Sequence, residues 1–310
     1  MTLVVTEGDP APEGAEVAWL TARDGTRLRV AHWLPPGAAR GTVVLLNGRT
    51  EYIEKHFELV QHLLASDFAV ATCDWRGQGL SGRALPNPQK GHVADFGEFL
   101  SDLRQWLEER VIGACPGPYQ LCAHSMGANI GLRHLGEHPG FFERALFSAP
   151  MWRIDRGGSS LGVRCMGALG GALGLQERYV PFGGGDPDER NRRFAGNALT
   201  GDRARFERAL AQIDAEPGLS LGGPTFGWLR AALHSIDRLW SPGFAEAIDI
   251  PIRVCLGAQD RVVPSAEIGR LTAGFPAAEL VEIEGARHEL LREAEPLRGR
   301  MLEGLDAFFA

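Results

Sequence analysis

YQLCAHSMGANIGLRHL, residues Tyr119–Leu135, is the stretch that decides how this 310-residue chain is read. Its first six residues are short, largely apolar and free of Asp, Glu, Lys and Arg, as a strand buried on both faces would be. Ala123-His124-Ser125-Met126-Gly127 then forms a small-x-Ser-x-Gly turn, and a run of helical character begins at once. A hydroxyl lifted clear of a strand end needs a sharp, strained turn, with small residues two places either side of it. Ala123 and Gly127 hold those places; the usual pattern has glycine at the first, and Ala123 adds one methyl. A helix starting at Met126 also points its free N–H groups at the same hydroxyl. Ser125 is the candidate nucleophile, against the plainer reading of a capping serine in a β–α turn.

A serine hydroxyl is a poor nucleophile without a base, and the base needs a carboxylate to orient it. IRVCLGAQDRVVP sets Asp260 just past a predicted strand, and LVEIEGARHELLRE sets His288 between the last predicted strand and the last helix. The order Ser125, Asp260, His288 is the α/β-hydrolase order. Other candidates stand less well. His32 and His56 precede the sheet or its first helix, His134 and His138 lie beyond the nucleophile helix, and His234 lies in the stretch between the core strands, where it could line a pocket. His124 cannot readily bend back to its neighbour Ser125, and Asp74, in DWRGQGLSG, reads as the holder of a turn. Two N–H donors must face a developing oxyanion: that of Met126, and that of Arg49 in the loop LLNGRTEY, where Gly48 permits a close approach. The Arg49 side chain has two readings, a contact to a substrate phosphate or carboxylate, or a pair with Glu51 or Glu54.

Outward from the elbow, apolar strands alternate with amphipathic helices. TVVLLNG (Thr42–Gly48), FAVATCD (Phe68–Asp74) and RALFSAP (Arg144–Pro150) read as parallel core strands, with helices over residues 53–66 and 95–111 between them. An opening hairpin is signalled by Val17–Leu20 and Arg27–Leu34 around Asp24-Gly25. From about Met151 the rhythm stops: a Gly-rich apolar piece and an Arg/Asp-rich piece lead to a helix carrying Phe226, Leu229, Leu233, Ile236 and Leu239 at spacings of three and four. Strands resume at PIRVCLG (Pro251–Gly257) and ELVEIEG (Glu279–Gly285). The economical organisation is a mostly parallel α/β core from residues 1–150 and 244–310, interrupted by a helical cap over 151–243.

Composition removes other classes. Net charge is −7, from 39 acidic and 32 basic residues, with no Lys/Arg block to follow a phosphate backbone, so nucleic acid is not an expected partner. Glycine numbers 40 in 310 residues, nearly twice the usual ~7%, which suits a loop-rich enzyme. Cys73, Cys115, Cys122, Cys165 and Cys255 show no C-x-x-C spacing, pointing to a reducing, cytoplasmic setting, and the N-terminus lacks a signal-peptide pattern. Neither H-E-x-x-H nor another clustered ligand set appears, and Arg76-Gly77-Gln78-Gly79 fits a dinucleotide loop only loosely, so no metal or cofactor is expected.

The chain resembles the α/β-hydrolase superfamily, in particular the group of monoacylglycerol lipases and bacterial lysophospholipase L2, from about Asp24 to the C-terminus. NGRTEYIEKH is similar to that family's histidine-glycine loop, with Asn47 where many lipases have histidine. DWRGQGLSG resembles its Arg-Gly-x-Gly-x-Ser segment, AHSMG its nucleophile elbow, and GAQDRVV and ARHEL its acid and base loops. The Asn-Gly-Arg loop and GGPTFGWLRAAL in the cap look more like the lysophospholipase branch. The resemblance implies hydrolysis of lysophospholipids or monoacylglycerols. General carboxylesterase, C–C hydrolase and haloperoxidase-like chemistry share the triad and stay open, as does a non-catalytic binding module. The expected substrate pocket is apolar, suits a medium or long acyl group, and is walled by Phe226, Trp228 and Leu229, with Arg49 assisting at a headgroup. A cap of this kind can also touch micelles or a membrane surface.

Overall fold

The computed structural model describes residues 3–154, 160–181, 183–187 and 192–310. Its sheet has eight strands in the order β1-β2-β4-β3-β5-β6-β7-β8. β1 (Glu16–Thr21) and β2 (Arg27–Trp33) form the opening hairpin, and β2 pairs antiparallel with β4 (Phe68–Cys73). β3 (Gly41–Leu46), β4, β5 (Tyr119–His124), β6 (Arg144–Ser148), β7 (Ile252–Gly257) and β8 (Ala278–Ile283) are parallel. Every residue of β3 and β4 is buried, which is why their sequences are apolar runs rather than alternating ones. β8, at the edge, exposes Glu279 and Glu282 and so discourages pairing with another sheet.

The helix expected over 53–66 is divided. Residues 53–56 wind as a 3-10 turn because the Ile53 N–H is drawn to Asp74 Oδ1 at 2.9 Å, and α1 (Phe57–Ala65) follows. α2 (Phe96–Trp106) starts on an Asp95–Glu98 capping box, then passes through a π-turn at Leu107–Val111 into the short α3 (Ile112–Ala114). α4 (Met126–Glu137) leaves the end of β5 directly.

Between β6 and β7 the described residues form α5 (Ser160–Ala172), α6 (Arg203–Ala215) and α7 (Phe226–Leu239), and none of them joins the sheet. α7 begins at Thr225, whose hydroxyl accepts the Trp228 N–H, and Ser235 on its inner face donates to Asn129 of α4 at 2.5 Å. α6 docks elsewhere on the core. Tyr52 Oη lies 3.0 Å from both Ala209 O and Gln212 Oε1, and Arg205 reaches Glu58 at 2.7 Å. α8 (Ser265–Thr272) and α9 (Glu295–Phe309) complete the layers around the sheet.

A buried ion cluster secures the loops that follow β3 and β4. Arg29, fully buried, donates to both Glu54 oxygens and to Asp74 Oδ2, each at 2.7 Å. Asp74 also takes the N–H of Leu80 at 2.8 Å, so it holds the DWRGQGLSG turn as the sequence suggests.

Candidate active site

Ser125 sits between β5 and α4 at φ 50°, ψ −113°, a region closed to most L-residues and reached here only because the turn is enforced from both sides. Its own N–H bonds Ser148 O at 3.0 Å, and its carbonyl accepts the N–H groups of Ala128 and Met151. The tightness depends on Gly127. A Cβ there would stand 2.6 Å from Asn47 O and also against Leu46 O, both backbone atoms. Gly48 approaches from the other side, where a Cβ would come 3.3 Å from the Ser125 Cβ and 2.9 Å from the His124 ring. The loop after β3 and the elbow are thus in backbone contact. The N–H groups of Arg49 and Met126 find no acceptor among the described residues.

His288 Nε2 lies 3.0 Å from Ser125 Oγ, and His288 Nδ1 lies 2.8 Å from Asp260 Oδ2. Asp260 is held by the N–H groups of Val262 and Val263 at 2.7 and 3.2 Å. Burial opposes its ionisation, but the bond and charge of His288 together with those two N–H groups keep its carboxyl below the ordinary value. An ionised Asp260 can only accept, so Nδ1 donates to it and Nε2 is left to accept the serine proton. The three residues read from sequence as a triad are therefore in hydrogen-bonded series.

The other histidines do different work. His124 Nδ1 lies 3.0 Å from Ser148 O and its ring packs 4.8 Å from that of His288; burial pushes its pKa down to about 4, so it is uncharged near neutrality. His32 faces Glu16 and His134 packs against Phe142.

Two expectations about side chains need correction. Arg49 pairs with neither Glu51 nor Glu54: Glu54 belongs to Arg29, and Glu51 to Gly48 N–H and Lys55. Arg49 instead donates to Gly222 O in the cap and lies 5.5 Å from the Trp228 ring, and burial lowers its pKa to about 10. Phe226 and Leu229 fill the cap's own core with Val163, Val180 and Leu233, while Trp228 packs on Phe96. None of the three lines a cavity of about 540 Å³, and neither do Ser125, Asp260 and His288 themselves. That cavity is walled by Phe206, Leu210 and Ile213 of α6 with Leu199, Leu219 and Leu221, and it reaches Thr50 and Glu289, the neighbours of Arg49 and His288. The signal for α6 was present, since Phe206, Leu210 and Ile213 recur at four and three, but it is embedded in Arg-rich sequence.

The family model described as serine aminopeptidase, S33 matches residues 37–295. The chain is 31% identical to the "probable lysophospholipase L2" of Haemophilus influenzae over 291 residues, covering 94% of this chain and 90% of that one. It is also 31% identical to lysophospholipase L2 of Escherichia coli K12 over 281 residues, covering 86% and 79%. A soluble variant of monoglyceride lipase from Saccharomyces cerevisiae, solved with a substrate analog, superposes with a TM-score of 0.76 at 19% identity, over 96% of both chains, a likeness of fold. Elbow, hydrogen-bonded series and sheet order agree with these matches: the chain belongs to the α/β-hydrolase superfamily, in the serine aminopeptidase S33 family, and is related there to the lysophospholipase L2 proteins.

Proposed function

We propose that this protein is a serine hydrolase that cleaves a single-chain lipid ester, a lysophospholipid or a monoacylglycerol, through an acyl-enzyme. The observation that carries the reading is the Ser125–His288–Asp260 series at 3.0 and 2.8 Å; a largely apolar cavity of about 540 Å³ reaches Thr50 and Glu289, each one residue along the chain from the site. Ser125 Oγ attacks the ester carbonyl as His288 Nε2 takes its proton. The negative charge on the carbonyl oxygen is received by the N–H groups of Arg49 and Met126. His288 returns the proton to the departing glycerol oxygen; it then accepts one from the water that releases the fatty acid and restores Ser125. Asp260 fixes the ring tautomer throughout. Residues 151–243 act as the substrate cap, with the acyl chain against Phe206, Leu210 and Ile213.

The lipid class is supported by the names of the relatives at 31% identity, and by the Arg49 side chain, which leaves the proposed oxyanion loop. No carboxylate among the described residues pairs with Arg49, and its Nε is buried without a partner, which suits a phosphodiester. Leu161, Leu169 and Leu173 are exposed at spacings of eight and four along and just past α5, a face suited to micelles or a membrane surface. The test is a panel of nitrophenyl acetate, butyrate, octanoate and palmitate, beside a lysophosphatidylcholine and a monoacylglycerol. Rising kcat/KM to octanoate or beyond, with fatty acid released from at least one lipid, is expected. Turnover confined to acetate would leave a small-ester hydrolase and refute the lipid reading.

A further inference from the structure

The peptide that joins Gly48 to Arg49 carries the proposed oxyanion donor, and it is gripped by a side chain that the triad does not use. Gln78, 3% exposed, donates from Nε2 to Gly48 O at 2.9 Å, and its Oε1 faces Thr50 N–H at 3.4 Å. In a trans peptide the C=O and the next N–H point in opposite directions. Holding the Gly48 oxygen therefore aims the Arg49 N–H the other way. The next residue shows that the loop needs holding: Thr50, β-branched, is kept at φ 62°.

Glu51 grips the same loop from its other face. Its Oε2 accepts the Gly48 N–H at 2.6 Å, and Lys55 Nζ lies 3.3 Å from its Oε1. Lys55 in turn donates to Glu289 Oε1 at 2.6 Å, directly after His288 in the chain. One buried ammonium thus ties the loop after β3 to the loop that carries the base. Burial works against the ionisation of Glu51, yet the Lys55 ammonium keeps its carboxyl well below the ordinary value. Charges buried like this are costly unless each is paired, and a pairing that spans two loops specifies their relative register.

We infer that Gln78 and Glu51 are positioning residues that aim the Arg49 N–H at the transition-state oxyanion, Gln78 through the Gly48 carbonyl and Glu51 through the Gly48 N–H. The inference rests on the serine-hydrolase reading and adds the residues that orient its donor.

The experiment compares the wild-type chain with Gln78→Ala, Gln78→Glu and Glu51→Gln, using nitrophenyl octanoate turnover, inhibition by an alkyl boronic acid and thermal melting. Gln78→Glu is nearly isosteric but turns the donor facing Gly48 O into an acceptor. An oxyanion donor is worth about 10²–10³ in kcat when removed, so a misaimed one should cost about 10- to 100-fold in kcat. KM should stay within about twofold, and boronate affinity should fall in parallel with kcat. Glu51→Gln keeps an acceptor for Gly48 N–H but loses the tie to Lys55, and a smaller loss of the same kind is expected. If Gln78→Ala does not fold, the other two variants carry the test. Unchanged kcat in folded Gln78→Glu, or kcat lost with unchanged boronate affinity, overturns the inference while an active wild type leaves the hydrolase reading standing. A wild-type chain without Ser125-dependent turnover overturns both.

Discussion

Replacing Gly127 by alanine adds one carbon at a tight backbone contact in the site. That carbon would lie 2.6 Å from Asn47 O and closer still to Leu46 O, whereas ordinary contact begins at 3.4 Å, so the end of β3 and the start of α4 must part by at least about 0.8 Å. No rotamer relieves this, because both sides are main chain. The parting falls between the N–H groups of Arg49 and Met126, which must converge on one oxygen. A misplacement near 1 Å costs on the order of 10²-fold in rate, so kcat for nitrophenyl octanoate should fall roughly 30- to 100-fold. Overpacking typically costs about 1–3 kcal/mol, which for a chain of this size lowers Tm by roughly 2–10 °C. Gly113→Ala is the control: open space surrounds its Cβ position and its φ is not positive. Steady-state kinetics and calorimetry on both variants decide the matter. Gly127→Ala with kcat within about twofold of wild type and an unmoved Tm would refute the contact argument.

Asp260→Asn keeps an oxygen for Val262 N–H but no longer enforces the Nδ1-protonated ring of His288. Its kcat should drop on the order of 10⁴-fold, by analogy with other triads, with folding intact; a loss below about tenfold would count against the assignment. Leu210→Trp narrows the cavity wall on α6 and should lower kcat/KM for palmitate far more than for butyrate, measured on the same ester series. Equal loss for both would remove α6 from the acyl wall. Arg205→Met tests acid stability. Burial raises the Glu58 pKa, but the bond and charge of Arg205 outweigh it and pull it from 4.5 to about 2. A depressed carboxyl stabilises the fold above its unfolded pKa and loses that contribution as pH falls through the folded value. The difference in urea midpoint between wild type and Arg205→Met should therefore be largest at pH 6 and shrink between about pH 4.5 and pH 2. A difference that stays constant over that range would contradict the pairing.

The strands were legible because burial on both faces leaves an unmistakable composition, and β3, β4 and β5 are apolar for that reason. The elbow was legible because steric need dictates residue type, and the contacts of Gly127 with Leu46 and Asn47 are that need in atoms. Asp260 and His288 followed from chain order and from their places after strands. Periodicity failed at the pocket wall. Spacing of three and four along α7 says that Phe226 and Leu229 are buried, not against what, and they turned out to face α5. The grip of Gln78 on Gly48 could not be read at all. It joins residues 30 apart through the meeting of two loops, which only the sheet order β4-β3-β5 brings about.

Acid quenching during turnover of nitrophenyl octanoate, followed by intact-mass and peptide mapping, tests the proposed chemistry at its centre. The expected result is a burst of nitrophenol and an octanoyl adduct on the peptide that contains Ser125, in wild type but not in Ser125→Ala. Release of octanoate by the Ser125→Ala variant at the wild-type rate, or an adduct on any other residue, would contradict it.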